Sequence, residues 1–151
     1  MGTINYKTSN YITLGYCNNN INYEDEFYYE DIEYEFEEIN AILKDAAFYY
    51  FNIKLEPGYY EGFSIDIENN FSYCLDSYIE KLEALKEITQ IKKLLLYIVN
   101  NFNVCAVYPG WCTGYADHEK TISEINDAIK EMKNEVKTTP TYYKLKLMEE
   151  V

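Results

Sequence analysis

The chain has 151 residues, of which 48% are hydrophobic and 17% aromatic, and its formal net charge is −13. This length and apolar content predict a single folded domain, residues 1–151, and exclude a disordered chain. No apolar run approaches the roughly 18 residues of a membrane span, and the first residues lack the basic and apolar regions of a signal peptide. We therefore expect no membrane association and a cytoplasmic location.

The charge is unevenly distributed along the chain. Residues 1–80 carry sixteen acids and three lysines, whereas residues 81–151 carry ten of each. Residues 24–38 hold nine acids and no base. All basic residues are lysines, so the chain lacks the bidentate guanidinium that favours phosphate binding. This balance argues against direct nucleic-acid binding and favours basic partners.

The first elements in chain order are a strand and an acidic helix. Residues 10–16 alternate apolar and polar side chains around Ile12 and Leu14, which predicts a strand. Residues 24–44 repeat apolar side chains every three or four positions, which predicts a helix with its acids on the remaining faces. These apolar positions are Tyr28, Ile32, Phe36, Ile39 and Leu43.

Residues 48–56 and 59–68 flank the turn signal Pro57-Gly58 and predict a β-hairpin. Period-two alternation predicts one buried and one solvated face. The predicted buried positions are Tyr49, Phe51, Ile53, Leu55, Phe63, Ile65 and Ile67. The predicted solvated face includes Tyr50, Asn52, Tyr60, Asp66 and Glu68.

A long helix over residues 76–100, a short strand over residues 104–108 and a last helix from His118 follow. The predicted apolar stripe of the long helix is Ile79, Leu82, Leu85, Ile88, Ile91, Leu95 and Ile98. The N-cap of the last helix is predicted to be either Asp117 or Thr121, which has capping-box spacing with Glu124. Pro140 is predicted to end this helix. The order β-α-β-β-α-β-α predicts an α+β fold, specifically a ferredoxin-like split βαβ sandwich with an added C-terminal helix.

The four cysteines are Cys17, Cys74, Cys105 and Cys112. None of them forms the short Cys-x-x-Cys spacing of a zinc site, and a domain of this size does not need disulfides to hold its core. We therefore expect reduced, mostly buried thiols, no metal site and no cofactor.

The segment 108–118 concentrates unusual residues between a predicted strand and a helix start. It holds the only Trp and the only His of the chain, together with two glycines. Its aromatic rings can stack on a flat, nucleotide-like ligand, which makes the segment a candidate small-molecule site. A structural loop that caps the core explains the same composition. The candidate ligand-binding residues are Tyr108, Trp111, Cys112, Tyr115, Asp117 and His118.

Two chemical alternatives involve the same segment. Cys112, His118 and Asp117 can be combined into a cysteine-dependent catalytic set, and Cys105, Cys112 and His118 into a zinc site. Neither combination has a diagnostic spacing. We therefore expect a protein that is not an enzyme.

The acidic segment allows three interpretations: a solvated helix face, a divalent-metal site, or a surrogate for a phosphate backbone. The alternating acids and glycine of a calcium loop are missing. Carboxylates interleaved with tyrosines can present charges a few ångströms apart, as phosphates do. The candidate partner-binding residues are Glu24, Asp25, Glu26, Glu30, Asp31, Glu33, Tyr34, Glu37 and Glu38.

Four stretches, at residues 2–6, 11–16, 56–62 and 109–115, resemble segments of small, uncharacterised acidic proteins of phages and mobile elements of low-GC gut bacteria. The resemblance implies an inhibitor of host defence, similar to anti-CRISPR and anti-restriction proteins. Our first functional expectation is therefore a nucleic-acid mimic that occupies a basic groove on a host defence protein. The alternatives are a nucleotide sponge that uses the Trp111 loop and an enzyme that uses Cys112. The sequence leaves homo-oligomerisation open.

Overall fold

The protein's structure, a computed structural model, describes residues 10–17, 28–57, 62–70, 75, 77–107 and 116–141. Within these residues, four strands and three helices follow one another in the predicted order β-α-β-β-α-β-α, which confirms the α+β class. They are β1 (Thr13–Tyr16), α1 (Tyr28–Asp45), β2 (Phe51–Pro57), β3 (Phe63–Asn69), α2 (Tyr78–Asn101), β4 (Val104–Ala106) and α3 (His118–Thr138). No helix within these described residues is both long and apolar enough to cross a membrane.

The four strands form one antiparallel sheet in the order β2-β3-β1-β4. The short strand β1 lies inside the sheet, where Leu14 is paired with Ile65 on one side and with Ala106 on the other. β2 and β3 form the longest ladder, from Phe51↔Asn69 to Pro57↔Phe63. The predicted pairing of the two arms is therefore confirmed, but Pro57, which was predicted to lie in the turn, is the last residue of β2 and is paired with Phe63. Gly58 lies outside the described residues.

Side-chain caps fix the starts of α2 and α3. Ser77 and Glu80 form a reciprocal capping box at α2, with both nitrogen–oxygen distances at 3.2 Å. Asp117 caps α3 by accepting a hydrogen bond from the Lys120 N–H at 2.7 Å. The alternative cap at Thr121 is wrong, because its buried hydroxyl accepts instead from the Ala106 N–H at 2.9 Å. That bond joins α3 to β4.

One hydrophobic cluster contains the inner face of the sheet and the apolar stripes of the helices. α2 and α3 pack against each other, and both contact β4. The fully buried residues include Leu14, Ile39, Phe51, Ile65, Ile67, Ile88, Ile91, Leu95, Ile98, Ile125, Met132 and Val136. The predicted stripe of α3 and the C-terminal part of the predicted α2 stripe are therefore confirmed.

The predicted faces at the start of the hairpin are wrong. Tyr49 is 73% exposed, whereas Tyr50, which was expected in solvent, is buried. Both residues precede β2, which begins at Phe51. Period-two alternation holds only within extended backbone, so it cannot be continued backwards through the bend at these two positions.

The predicted α2 stripe also begins too early. Ile79 is 66% exposed, and Leu82 is exposed as well. A helix of 24 residues is about 36 Å long at 1.5 Å per residue. A strand of seven residues such as β3 extends only about 23 Å. The helix is therefore longer than the strands of the sheet, and the apolar residues of its first turns stay exposed.

The expectation of reduced thiols is wrong for one pair of cysteines. Cys17, directly after β1, forms a disulfide with Cys105 in β4, with a Cα–Cα distance of 6.0 Å. The sequence separation of the two residues is 88, but Gly15 is paired with Cys105 in the sheet, which brings the thiols together. Disulfides are uncommon in a reducing cytoplasm, so the cysteines no longer support the predicted cytoplasmic location.

Candidate functional site

The candidate site is the solvent-facing side of α1. Glu30, Asp31, Glu33, Glu37 and Glu38 are all exposed, and no basic residue occurs in the helix before Lys44. At 100° per residue these acids fall within one continuous side of the helix. Tyr34, which is 63% exposed, lies between them on the same side. The described part of the predicted acidic site is therefore one surface, which we call the acidic face.

The opposite side of α1 attaches the helix to the core. Ile32 and Ile39 are buried in the hydrophobic cluster. The ring of Phe36 packs edge-on against Phe63 of β3, with 6.0 Å between the ring centroids. Because these apolar residues recur every three or four positions, they occupy one side of the helix, and the acids on the opposite side point to solvent. The packing therefore determines which carboxylates form the acidic face.

One acid of the helix has a different environment. Glu35 is only 7% exposed, and its Oε1 accepts a hydrogen bond from the Asn103 N–H at 2.6 Å. The Asn103 side-chain amide donates to both carboxylate oxygens, at 3.2 and 3.3 Å. Desolvation by burial raises the pKa of Glu35, the bonds from Asn103 lower it, and the charge of Asp31 raises it, with a net upward shift. Glu35 thus anchors α1 to the residue before β4.

The raised pKa of Glu35 predicts a pH-dependent contribution to stability. The native protein binds this proton more tightly than the unfolded chain, so the contribution is complete below the ordinary pKa of 4.5 and is lost as pH rises through the folded pKa. Glu35→Gln removes this titration. We expect the free energy of unfolding of Glu35→Gln, measured by urea denaturation, to increase relative to that of wild type from pH 4 to pH 7. A relative value that falls over this range would contradict the raised pKa.

The exposed acids of α3 provide a control for the pH measurement. Glu131→Gln removes a carboxylate that is exposed on α3. Exposed carboxylates contribute little to stability. The free energy of unfolding of this variant relative to wild type should therefore stay flat over the same pH range.

Several predicted site residues lie outside the described residues. They are Glu24, Asp25, Glu26, Tyr108, Trp111, Cys112 and Tyr115. Of the predicted ligand-binding loop, only Asp117 and His118 are described. Both are exposed, and Asp117 already serves as the α3 cap. The predictions of a ligand site and of a catalytic Cys112 therefore remain predictions.

The zinc combination is wrong, because Cys105 is disulfide-bonded and has no thiolate to donate. In the part of the chain that the structure describes, no group of three or more His, Cys, Asp or Glu side chains could hold a metal ion. The acids of the acidic face point outward along a helix and do not converge on a common point. A divalent-metal site on this face therefore has no geometric support among the described residues.

A second buried carboxylate, Glu87 of α2, was not predicted from the sequence. It accepts backbone N–H bonds from Tyr49 at 3.1 Å and from Tyr50 and Phe51 at 2.9 Å each. The neighbouring Glu83 accepts from the Tyr50 hydroxyl at 2.8 Å, and burial together with this bond raises the pKa of Tyr50. These contacts hold the start of β2 against α2. An acid within an apolar helical stripe is the sequence signal that identifies both Glu35 and Glu87.

An open groove of about 610 Å³ lies beyond the C-terminal end of the acidic face. Phe48 and Leu94 supply apolar surface, and Asp45, Gln90 and Lys93 line it with polar groups. Among the described residues, the groove has no buried polar side chain that would fix the orientation of a ligand.

Comparisons with family models, curated proteins and solved structures found no match to this chain. The geometry of α1 is therefore the main basis for a functional proposal.

Proposed function

We propose that the protein is an acidic inhibitor that binds a basic, nucleic-acid-binding surface of a host protein. One observation carries this proposal: five exposed carboxylates and Tyr34 share one side of α1, without a base before Lys44. Such a surface attracts a basic groove and repels nucleic acid. With the resemblance to phage and mobile-element proteins, this charge supports a decoy directed against a host defence effector.

The acidic face carries an electrostatic penalty that packing does not explain. Acids three or four positions apart, such as Glu30 with Glu33, or Glu33 with Glu37, repel each other by about 0.2–0.5 kcal/mol per pair. Only the acids of the first turn, Glu30 and Asp31, gain from the helix dipole. Glu33, Glu37 and Glu38 make no ion pair with another described residue. A partner with the opposite charge would turn this repulsion into binding energy.

Two variants with the same change in net charge test the proposal. The first, Glu33→Gln/Glu37→Gln/Glu38→Gln, changes the acidic face. The control, Glu119→Gln/Asp127→Asn/Glu131→Gln, changes three exposed acids of α3. The probe is an immobilised peptide rich in lysine and arginine, and the readout is the association rate at two salt concentrations.

We expect the α1 variant to bind roughly tenfold more slowly and the α3 control to remain within about twofold of wild type, because steering depends on the local field. The difference should shrink at 1 M salt, where the screening length falls to about 3 Å. Equal losses in both variants would mean that only total charge matters, which contradicts a site on α1.

A phage-protection assay separates this proposal from the ligand-binding alternative. Loss of activity in Trp111→Ala but not in the α1 variant would favour the ligand-binding alternative.

We further infer a ferredoxin-like split βαβ topology. The order β2-β3-β1-β4 places β3 between β1 and β2, and β1 between β3 and β4. α1 therefore connects β1 to β2, which have β3 between them, and α2 connects β3 to β4, which have β1 between them. Two such interleaved β-α-β units define the split βαβ arrangement. This assignment concerns the fold only, because the same architecture occurs with many functions.

A further inference from the structure

The disulfide and the anchor of the acidic face meet at one residue. Asn103 is the residue between the α2 C-cap, Phe102, and β4. Its carbonyl oxygen accepts from the Cys17 N–H at 2.8 Å, and its own N–H donates to Glu35 at 2.6 Å. Two residues further, Cys105 is bonded covalently to Cys17. A continuous path therefore runs from the disulfide through Asn103 to α1.

Asn103 leads directly into β4, a short strand that contains Cys105 and that is also held to α3 by the bond from the Ala106 N–H to Thr121. β4 contains three residues and, among the described strands, pairs only with β1. α1 itself is joined to the described rest of the protein by its apolar side and by the Glu35 bonds. A short edge strand depends strongly on a covalent link, because its ladder supplies few hydrogen bonds.

We propose that the Cys17–Cys105 disulfide is a thiol-responsive clamp that fixes α1 through Asn103 and Glu35. Both cysteines are only half-buried, so the disulfide lies outside the fully buried core, at a place that a dithiol reductant can approach. A thiolate of the reductant attacks one sulfur, forms a mixed disulfide and releases the other cysteine as a thiolate, which takes up a proton. The second thiol of the reductant then displaces the first cysteine. Two electrons and two protons pass to the protein, and the reductant leaves as a disulfide.

Reduction leaves the sequence and charge of the acidic face unchanged but loosens its attachment. Without the covalent link, β4 and Asn103 separate more readily from β1, and the buried Glu35 loses its donors during each opening. The N-terminal half of α1 then opens more often. The expected effect on partner binding rests on the proposed function. If the acidic face binds a basic surface, a loosened acidic face should bind that surface less tightly.

The test uses the full chain with Cys74→Ser/Cys112→Ser, so that Cys17 and Cys105 are the only cysteines. Thiol titration of the denatured protein should find no free thiol before dithiothreitol treatment and two after it. Hydrogen exchange should become roughly tenfold faster in α1 on reduction, while the β2–β3 hairpin stays within about twofold as an internal control. Two free thiols before reduction, or unchanged exchange in α1, would overturn the clamp.

Two variants establish that the coupling passes through the named residues. Cys17→Ser/Cys105→Ser, in the same background, should show the fast α1 exchange with or without dithiothreitol. Glu35→Ala should make α1 exchange fast in the oxidised protein, so that reduction adds less than about twofold. A full response to reduction in Glu35→Ala would show that the disulfide does not act through Glu35.

If α1 exchange responds to reduction but binding of the lysine- and arginine-rich peptide never depends on the α1 acids, the clamp stands and the proposed function fails.

Discussion

Ile65→Asp is expected to abolish cooperative folding. Ile65 has no solvent exposure, and it lies in β3 opposite both Leu14 and Leu55, at the centre of the sheet. The substitution removes a buried aliphatic side chain, which costs about 2–5 kcal/mol. It also places an unpaired carboxylate in the core, at a further several kcal/mol. Together these approach the entire stability of a typical domain, about 5–15 kcal/mol. Circular dichroism during urea titration measures the loss.

The matched control for this substitution is Ser64→Asp in the same strand. Ser64 lies on the opposite face and is only half-buried, so the new carboxylate keeps access to water. We expect a change within about 1 kcal/mol. Asp66 is unsuitable as a control, because its Oδ1 accepts hydrogen bonds from Asn10 and Thr13. A folded Ile65→Asp beside an unfolded Ser64→Asp would mean that the strand register is wrong by one residue.

Glu87→Ala is expected to destabilise the protein by about 3–5 kcal/mol, since it leaves two buried backbone donors and one part-buried donor without an acceptor, and each unmade buried bond costs about 1–3 kcal/mol. Glu87 is only 8% exposed, so water cannot readily replace the lost carboxylate. Its Oε1 serves Tyr50 and Phe51, and its Oε2 serves Tyr49. Urea denaturation, followed by circular dichroism, measures the difference in unfolding free energy.

Two further variants, Glu87→Gln and Lys86→Ala, test whether the lost stability comes from the missing hydrogen-bond acceptor. A glutamine oxygen can still accept from Tyr50 and Phe51, but its amide group then faces the Tyr49 N–H, so an intermediate loss is expected. Lys86 is exposed on the same helix, and its truncation should cost less than about 0.5 kcal/mol. Equal stability of Glu87→Ala and Lys86→Ala would show that the backbone donors at residues 49–51 do not depend on Glu87.

Local periodicity was enough to predict most of the elements and much of the core. The stripe of α3 and the paired strands of the hairpin are regular along the sequence, so the side that faces the core follows from spacing alone. The exposed acids of α1 were predicted for the same reason, since they fall between the apolar residues that bury the other side. Such inferences need no knowledge of distant contacts.

The errors arise where a distant contact determines the outcome. Tyr50 is buried because its hydroxyl and N–H meet Glu83 and Glu87 of α2, which the pattern around Tyr50 does not contain. Cys17 and Cys105 meet because the sheet places β4 beside β1. The anchoring role of Glu35 was not predicted, because its partner Asn103 lies far along the chain. Spacing along the chain cannot reveal which residues the fold brings together.

The place of β1 inside the sheet also has a consequence for how the chain folds during synthesis. Leu14 emerges from the ribosome long before either of its partners, Ile65 and Ala106. The hairpin of β2 and β3 can form early, but the strand between β3 and β4 gains its second neighbour only after residue 106 has been translated. Such non-local pairing raises contact order, so folding is expected to be slower than that of a helical bundle of similar size. Until then, the nascent chain presents an unpaired β1 edge to chaperones and to other chains.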